Sequence, residues 1–109
     1  MKKAQEKCRK LSKEKVFGII ENPIRVAILD LLYEQEGISW STFRKELDID
    51  KGKLNYHLRK LLAAGLVVKK KSRTNRPIYK LSAAGTAAVE FSKKVRQAIK
   101  ESLILAEIG

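Results

Sequence analysis

From Lys51 to Ser82 the chain reads KGKLNYHLRKLLAAGLVVKKKSRTNRPIYKLS, a helix, a glycine stop and two short β-favouring runs. Leu54, Leu58, Leu61 and Leu62 recur at helical spacing and define one apolar face. Gly65 is placed to end that helix in the left-handed conformation, which glycine adopts at little cost, and Leu66 can fold back on Leu61 as in a Schellman cap. Leu66-Val67-Val68 then reads as one strand, KKKSRTNR as a loop and Ile78-Tyr79-Lys80-Leu81 as a second strand. Pro77 at the entrance of that second strand points to an edge position, because proline cannot donate to a ladder. A leucine-lined helix running straight into a hairpin leaves few folds open.

The residues before Lys51 narrow the choice further. Asn22 is a favoured N-cap, Pro23 suits the first helical position, and Ile24, Ala27, Ile28, Leu31 and Leu32 make one apolar stripe. Gly37 stops that helix, and Ile38-Ser39-Trp40 alternates as a minimal strand would. Ser41 is expected to cap a second, short helix whose Phe43 and Leu47 face one way while Arg44 and Lys45 face another. Asp48-Ile49-Asp50 makes a tight connection, and Asp50 caps the next helix, where its carboxylate suits the positive end of the helix dipole. Two helices joined by a short turn and followed by a hairpin give the expected fold class. It is mainly α with a small β-wing, a winged helix-turn-helix with long N- and C-terminal helices.

Charge indicates what such a fold would meet. Residues 51–89 hold ten Lys or Arg and no Asp or Glu, whereas residues 16–50 hold three basic and seven acidic groups. The net charge is +12, and its concentration on one supersecondary unit is the footprint of a nucleic-acid-binding surface. No apolar run approaches the ~20 residues of a spanning helix, and MKKAQEKCRKLSKEK lacks the apolar core of a signal peptide. The single cysteine, Cys8, cannot form an internal disulfide. The expectation is a basic, cytoplasmic, nucleoid-associated protein. Its three parts are an amphipathic N-terminal helix (residues 1–20), a DNA-binding unit (21–82) and a C-terminal dimerisation helix (83–109).

On a helical wheel the face opposite the leucines carries Gly52, Lys53, Tyr56, Arg59, Lys60 and Ala63, with Asn55 and His57 at its borders. Asn55, Tyr56 and Arg59 are the candidates for reading base edges, since Asn suits adenine and Arg suits guanine in the major groove. Lys51, Lys53, His57 and Lys60 of the recognition segment 51–64 are candidate phosphate contacts. So are Ser41 and Thr42 before it, and Lys69, Lys70, Lys71, Arg73 and Arg76 of the wing 66–81. From Ser82, a further capping residue, a helix can run unbroken over Ala83–Ile108. Ala88, Phe91, Val95, Ala98, Ser102 and Leu105 recur on it at coiled-coil spacing, with Ile99 beside them, and make the expected dimer seam. At the other end, Ala4, Cys8, Leu11, Val16, Phe17 and Ile20 fit an amphipathic helix able to join the same bundle.

NPIRVAILDLL, KGKLNYHLRKLLAAGLV and RPIYKLSAAG together resemble the winged helix-turn-helix regulators of the ArsR-like group, over about residues 20–86. In that group an Asn-Pro-x-Arg helix opens the domain and a Ser-x-His-Leu stretch forms the heart of the recognition helix. An Ala-Gly-Leu-Val exit leads into the wing, and a Leu-Thr-x-x-Gly follows it. Here Asn55 stands in the place of that Ser, and Ser82 in the place of that Thr. The resemblance implies a prokaryotic, archaeal-type transcription regulator that binds duplex DNA as a homodimer. Metal-sensing relatives use a cysteine pair on the helix before the recognition helix, or His and acidic sets on the terminal helix. STFRKELD has no cysteine and the terminal helix no histidine, so neither a metal nor another cofactor is expected. No phosphate-binding glycine loop and no nucleophile with a neighbouring base is present, and an enzyme is not expected. Two other readings stay open: a nucleoid protein binding without sequence preference, and a winged helix serving as a protein-interaction module in a transcription complex.

Overall fold

A computed structural model describes residue 18 and residues 21–108 of the chain. Among these residues the elements run α1 (Pro23–Glu34), β1 (Ile38–Ser39), α2 (Trp40–Leu47), α3 (Lys51–Ala63), β2 (Val67–Lys71), β3 (Pro77–Leu81) and α4 (Ala83–Ile108). This is the winged helix-turn-helix expected from the sequence. The amphipathic helix expected over residues 1–20 lies outside the described residues, apart from Gly18.

Each helix start follows from a short polar side chain. The Asn22 side-chain oxygen accepts from the N–H groups of Ile24 (2.9 Å) and Arg25 (3.2 Å), and Pro23 stands first in α1. Asp50 Oδ2 does the same for Gly52 and Lys53 at the head of α3. The cap of α2 is Ser39 rather than Ser41: Ser39 Oγ accepts from the Thr42 N–H at 3.3 Å. Trp40, expected to finish a strand, therefore opens the helix. The reason is economy of chain, because β1 needs only Ile38 and Ser39 to pair with Tyr79 and Ile78. The extended backbone of Ser39 (φ −80°, ψ 160°) serves both as strand end and as cap.

The exit from α3 is a Schellman motif. Gly65 has φ +76°, its N–H donates to the Leu62 carbonyl, and the Leu66 N–H donates to that of Leu61. Leu61 and Leu66 are both buried. The sheet is antiparallel in the order β1-β3-β2, so the Pro77 strand is central and not an edge. The backbone tolerates this because β1 pairs only with Ile78 and Tyr79, leaving Pro77 at the first position of β3, beyond the end of β1. β2 also runs on to Lys71, three residues past the expected strand, since Lys69, Lys70 and Lys71 each find a partner on β3.

Ser82 ties these pieces together. Its Oγ donates to the Gly65 carbonyl at 2.6 Å and accepts from the Gly85 N–H at 3.0 Å, capping α4 against the α3 exit. Gly85 is buried there, and any Cβ would run into the backbone carbonyl of Leu66. The core under this junction joins Ile28, Leu29 and Leu32 of α1 to Phe43 of α2 and Leu54, Leu58 and Leu61 of α3. Val67, Tyr79, Ala88 and Val89 close it from the sheet and α4. Phe43 and Tyr79 meet edge to face at 6.0 Å. Each fully buried Leu, Ile or Phe contributes about 1.5–3 kcal/mol relative to exposure, which holds α3 by its leucine side and leaves the other side free.

Candidate nucleic-acid interface

With the leucines of α3 inward, its opposite side faces solvent. Lys51, Lys53, Asn55, Tyr56, Arg59 and Lys60 are all exposed, as are the small residues Gly52 and Ala63. Tyr56 is the aromatic on this face, and the Lys60 ammonium lies 5.5 Å from its ring centre. The three residues expected to read bases and three of the cations expected on phosphates thus share one surface.

Asn55 is not free to rotate on that surface. The Trp40 indole Nε1 donates to Asn55 Oδ1 at 2.8 Å, joining the first residue of α2 to α3. The Arg44 guanidinium sits 5.9 Å from the same indole ring, and Arg44 and Lys45 are exposed. Neither Trp40 nor these two cations was in the expected set. The Trp40–Asn55 bond spans fifteen residues, so no local pattern announces it.

The hairpin supplies a second basic surface. Lys69, Lys70, Lys71, Arg73 and Arg76 are exposed along β2 and the tip. The tip is shorter than expected, residues 72–76, and hydrogen bonds hold it in shape. The Ser72 N–H donates to the Arg76 carbonyl at 2.8 Å and the Asn75 N–H to the Ser72 carbonyl at 2.9 Å, with Asn75 at φ +63°. Lys69 also lies 5.9 Å from the Tyr79 ring centre, across the β2–β3 ladder.

Three expected site residues are placed differently. His57 is 7% exposed, inside rather than at the border of the outer face, and burial removes it from the phosphate contacts. Its position follows the spacing 54, 57, 58, 61, which is i, i+3, i+4, i+7, so the apolar stripe itself was the signal that it points inward. Its Nδ1 and the Arg25 Nε are buried without a hydrogen-bond partner. Burial first, then the charges of Arg25 and Lys53, push the His57 pKa below its ordinary value. Thr42 is half-buried, its N–H taken by Ser39 Oγ and its hydroxyl 2.9 Å from the same atom, while Ser41 beside it is exposed. Ala88, expected in the dimer seam, is buried in the subunit's own core.

Beyond that core α4 continues as a largely exposed helix. Val95, Ile99, Leu103, Ile104 and Leu105 are 40–68% exposed, and Phe91, Ala98 and Ser102 also lie at the surface. A bidentate ion pair from Arg96 to Asp30, both contacts at 3.2 Å, anchors the middle of α4 to α1. Lys93 over the Tyr33 ring, at 5.0 Å, reinforces it. Among the described residues no helix is long and apolar enough to cross a membrane, and no three His, Cys, Asp or Glu side chains converge on a common point.

Residues 13–92 match the profile of the family described as a domain of unknown function, DUF7347. The chain belongs to this family. This DUF7347 chain is 30% identical over 82 residues to the uncharacterized HTH-type transcriptional regulator YdgJ of Bacillus subtilis (strain 168). That match takes in 73% of the chain but spans only half the length of the curated relative. Among solved structures, a transcriptional regulator homologue from Pyrococcus horikoshii OT3 superposes with a TM-score of 0.73 at 25% identity, over 90% of this chain and 97% of the other. The Staphylococcus aureus MepR–DNA complex superposes with a TM-score of 0.70 at 15% identity, over 97% and 89%. At that identity the likeness to MepR is one of fold.

Proposed function

We propose that the chain is a DNA-binding regulator of transcription of the ArsR-like type, acting as a homodimer on duplex DNA. The observation that carries this reading is the outer face of α3. It presents Asn55, Tyr56 and Arg59 between Lys51, Lys53 and Lys60, with the exposed cations of the hairpin beside it. In this reading α3 enters the major groove, and Asn55, Tyr56 and Arg59 meet base edges. Lys51, Lys53, Lys60 and Ser41, with Lys69, Lys70, Lys71, Arg73 and Arg76 of the wing, meet phosphates. Arg44 and Lys45 join that set from α2. The apolar surface of α4 around Val95, Ile99 and Leu105 pairs two copies, so that two α3 helices address major grooves about 34–36 Å apart. Residues 21–82 then form the DNA-binding unit and 83–109 the pairing helix. The MepR–DNA complex supports the reading as a case of this fold on a duplex.

Arg59 provides the test. Fragments recovered from a randomised duplex pool by the full chain define a preferred site. Arg59→Ala is expected to weaken binding to that site by about 1–3 kcal/mol and to change binding to random duplex little. An equal loss on both would remove Arg59 from the base readers, and absence of any preferred site would favour binding without sequence preference.

A further inference from the structure

The hydrogen bond between Trp40 and Asn55 decides more than the position of a side chain. An indole N–H can only donate. The atom of Asn55 that faces it, 2.8 Å away, is therefore the carbonyl oxygen Oδ1, and the amide Nδ2 with its two N–H groups is turned away from Trp40. Trp40 is itself half-buried and packed against the core, and Arg44 lies over its ring, so the donor is held in place from two sides.

An unconstrained Asn reads adenine with both ends of its amide, Oδ1 accepting from N6–H and Nδ2 donating to N7. In Asn55 one lone pair of Oδ1 is taken up by the indole, which holds that oxygen toward Trp40, and the two N–H groups of Nδ2 are the end turned out to a base edge. Two donors match an edge that presents acceptors: N7 and O6 of guanine, or O4 of thymine. Cytosine meets them with its own N4 amino donor, and adenine offers a single acceptor, N7, beside its N6 amino group. We infer that Trp40 is a positioning residue that turns the donor end of the Asn55 amide outward, so that the base opposite Asn55 is guanine or thymine rather than adenine. This rests on the regulator reading above and adds to it a specific base preference, opposite to the adenine that Asn alone suggests.

The free protein supplies the first measurement. Trp40 is the chain's single tryptophan, so its indole N–H gives one side-chain resonance in a ¹⁵N–¹H spectrum. Asn55→Ala is expected to move that resonance upfield, and an unmoved resonance would overturn the inference before any DNA is added. The second measurement is selection of duplexes from a randomised pool by the full chain, by Trp40→Phe and by Asn55→Ala. The wild-type motif is expected to hold guanine or thymine at the one position that Asn55→Ala relaxes. Trp40→Phe, which keeps the ring under Arg44 but loses the N–H, is expected to lower that preference by about fivefold or more. The rest of the motif should stay unchanged. Adenine or cytosine at the Asn55-dependent position, or a Trp40→Phe motif identical to wild type, would overturn the inference while leaving the regulator reading intact. Retention of no duplex at all would overturn the regulator reading and the base preference with it. If Trp40→Phe does not fold, the base found at the Asn55-dependent position still decides the matter.

Discussion

His57 shows how far one side chain can depart from the role its neighbours suggest. It lies between Tyr56 and Leu58 on a basic helix, yet the 3.6-residue period turns it inward, where its ring meets that of Tyr56 edge to face at 5.2 Å. Burial and the charges of Arg25 and Lys53 favour the neutral imidazole, so its pKa is lower folded than unfolded. As pH falls below the ordinary histidine value of about 6.5, the unfolded chain takes up this proton first. It then binds more protons than the folded chain, and stability drops with falling pH until the folded His57 also titrates. Urea midpoints should therefore decrease between pH 7.5 and pH 5.5, and His57→Gln should lose part of that decrease. An identical pH dependence in the variant would show that other groups cause it.

Helices and strands were legible where their signals are local. Asn22-Pro23, Asp50, Gly65 and Ser82 mark boundaries because each satisfies backbone groups within a few residues. The sheet was less legible. Pro77 suggested an edge strand, and only the two-residue pairing of β1 shows how a central strand can begin with proline. The lysines of β2 looked like loop because lysine has little strand propensity, but ladder partners on β3 override that preference. The hairpin that results carries its cations exposed, and in the proposed regulator its contribution would be electrostatic. Log affinity for duplex DNA should fall linearly with log salt, with a slope near −0.9 per phosphate neutralised. Arg73→Ala with Arg76→Ala should make the slope shallower by about two units, measured by fluorescence anisotropy over a potassium chloride series. An unchanged slope would place the tip away from the phosphates.

In the molecule as a whole α4 has two tasks. Its first turns complete the subunit core through Ala88 and Val89, and the Arg96–Asp30 pair fixes its direction relative to α1. Beyond these the helix has no core of the subunit to close, and a run of exposed apolar side chains such as Ile99, Leu103 and Leu105 is the surface that the proposed pairing would cover. Ending the chain after Gly85 would remove core residues and lower stability. Ending it after Arg96 spares the core and the ion pair, and should yield a folded monomer in sedimentation, with weaker binding to a two-half-site duplex. A dimer that survives this truncation would place the pairing surface elsewhere.

Local chemistry was enough to establish the order of elements, their caps, the leucine side of α3 and the charge asymmetry, because those depend on neighbours within about a turn of chain. Strand order, the reassignment of Ala88 to the core and the bond from Trp40 to Asn55 depend on groups brought together across the fold. Periodicity shows which side of a helix is apolar. Only packing shows what lies against the other side, and so which way a polar side chain is held.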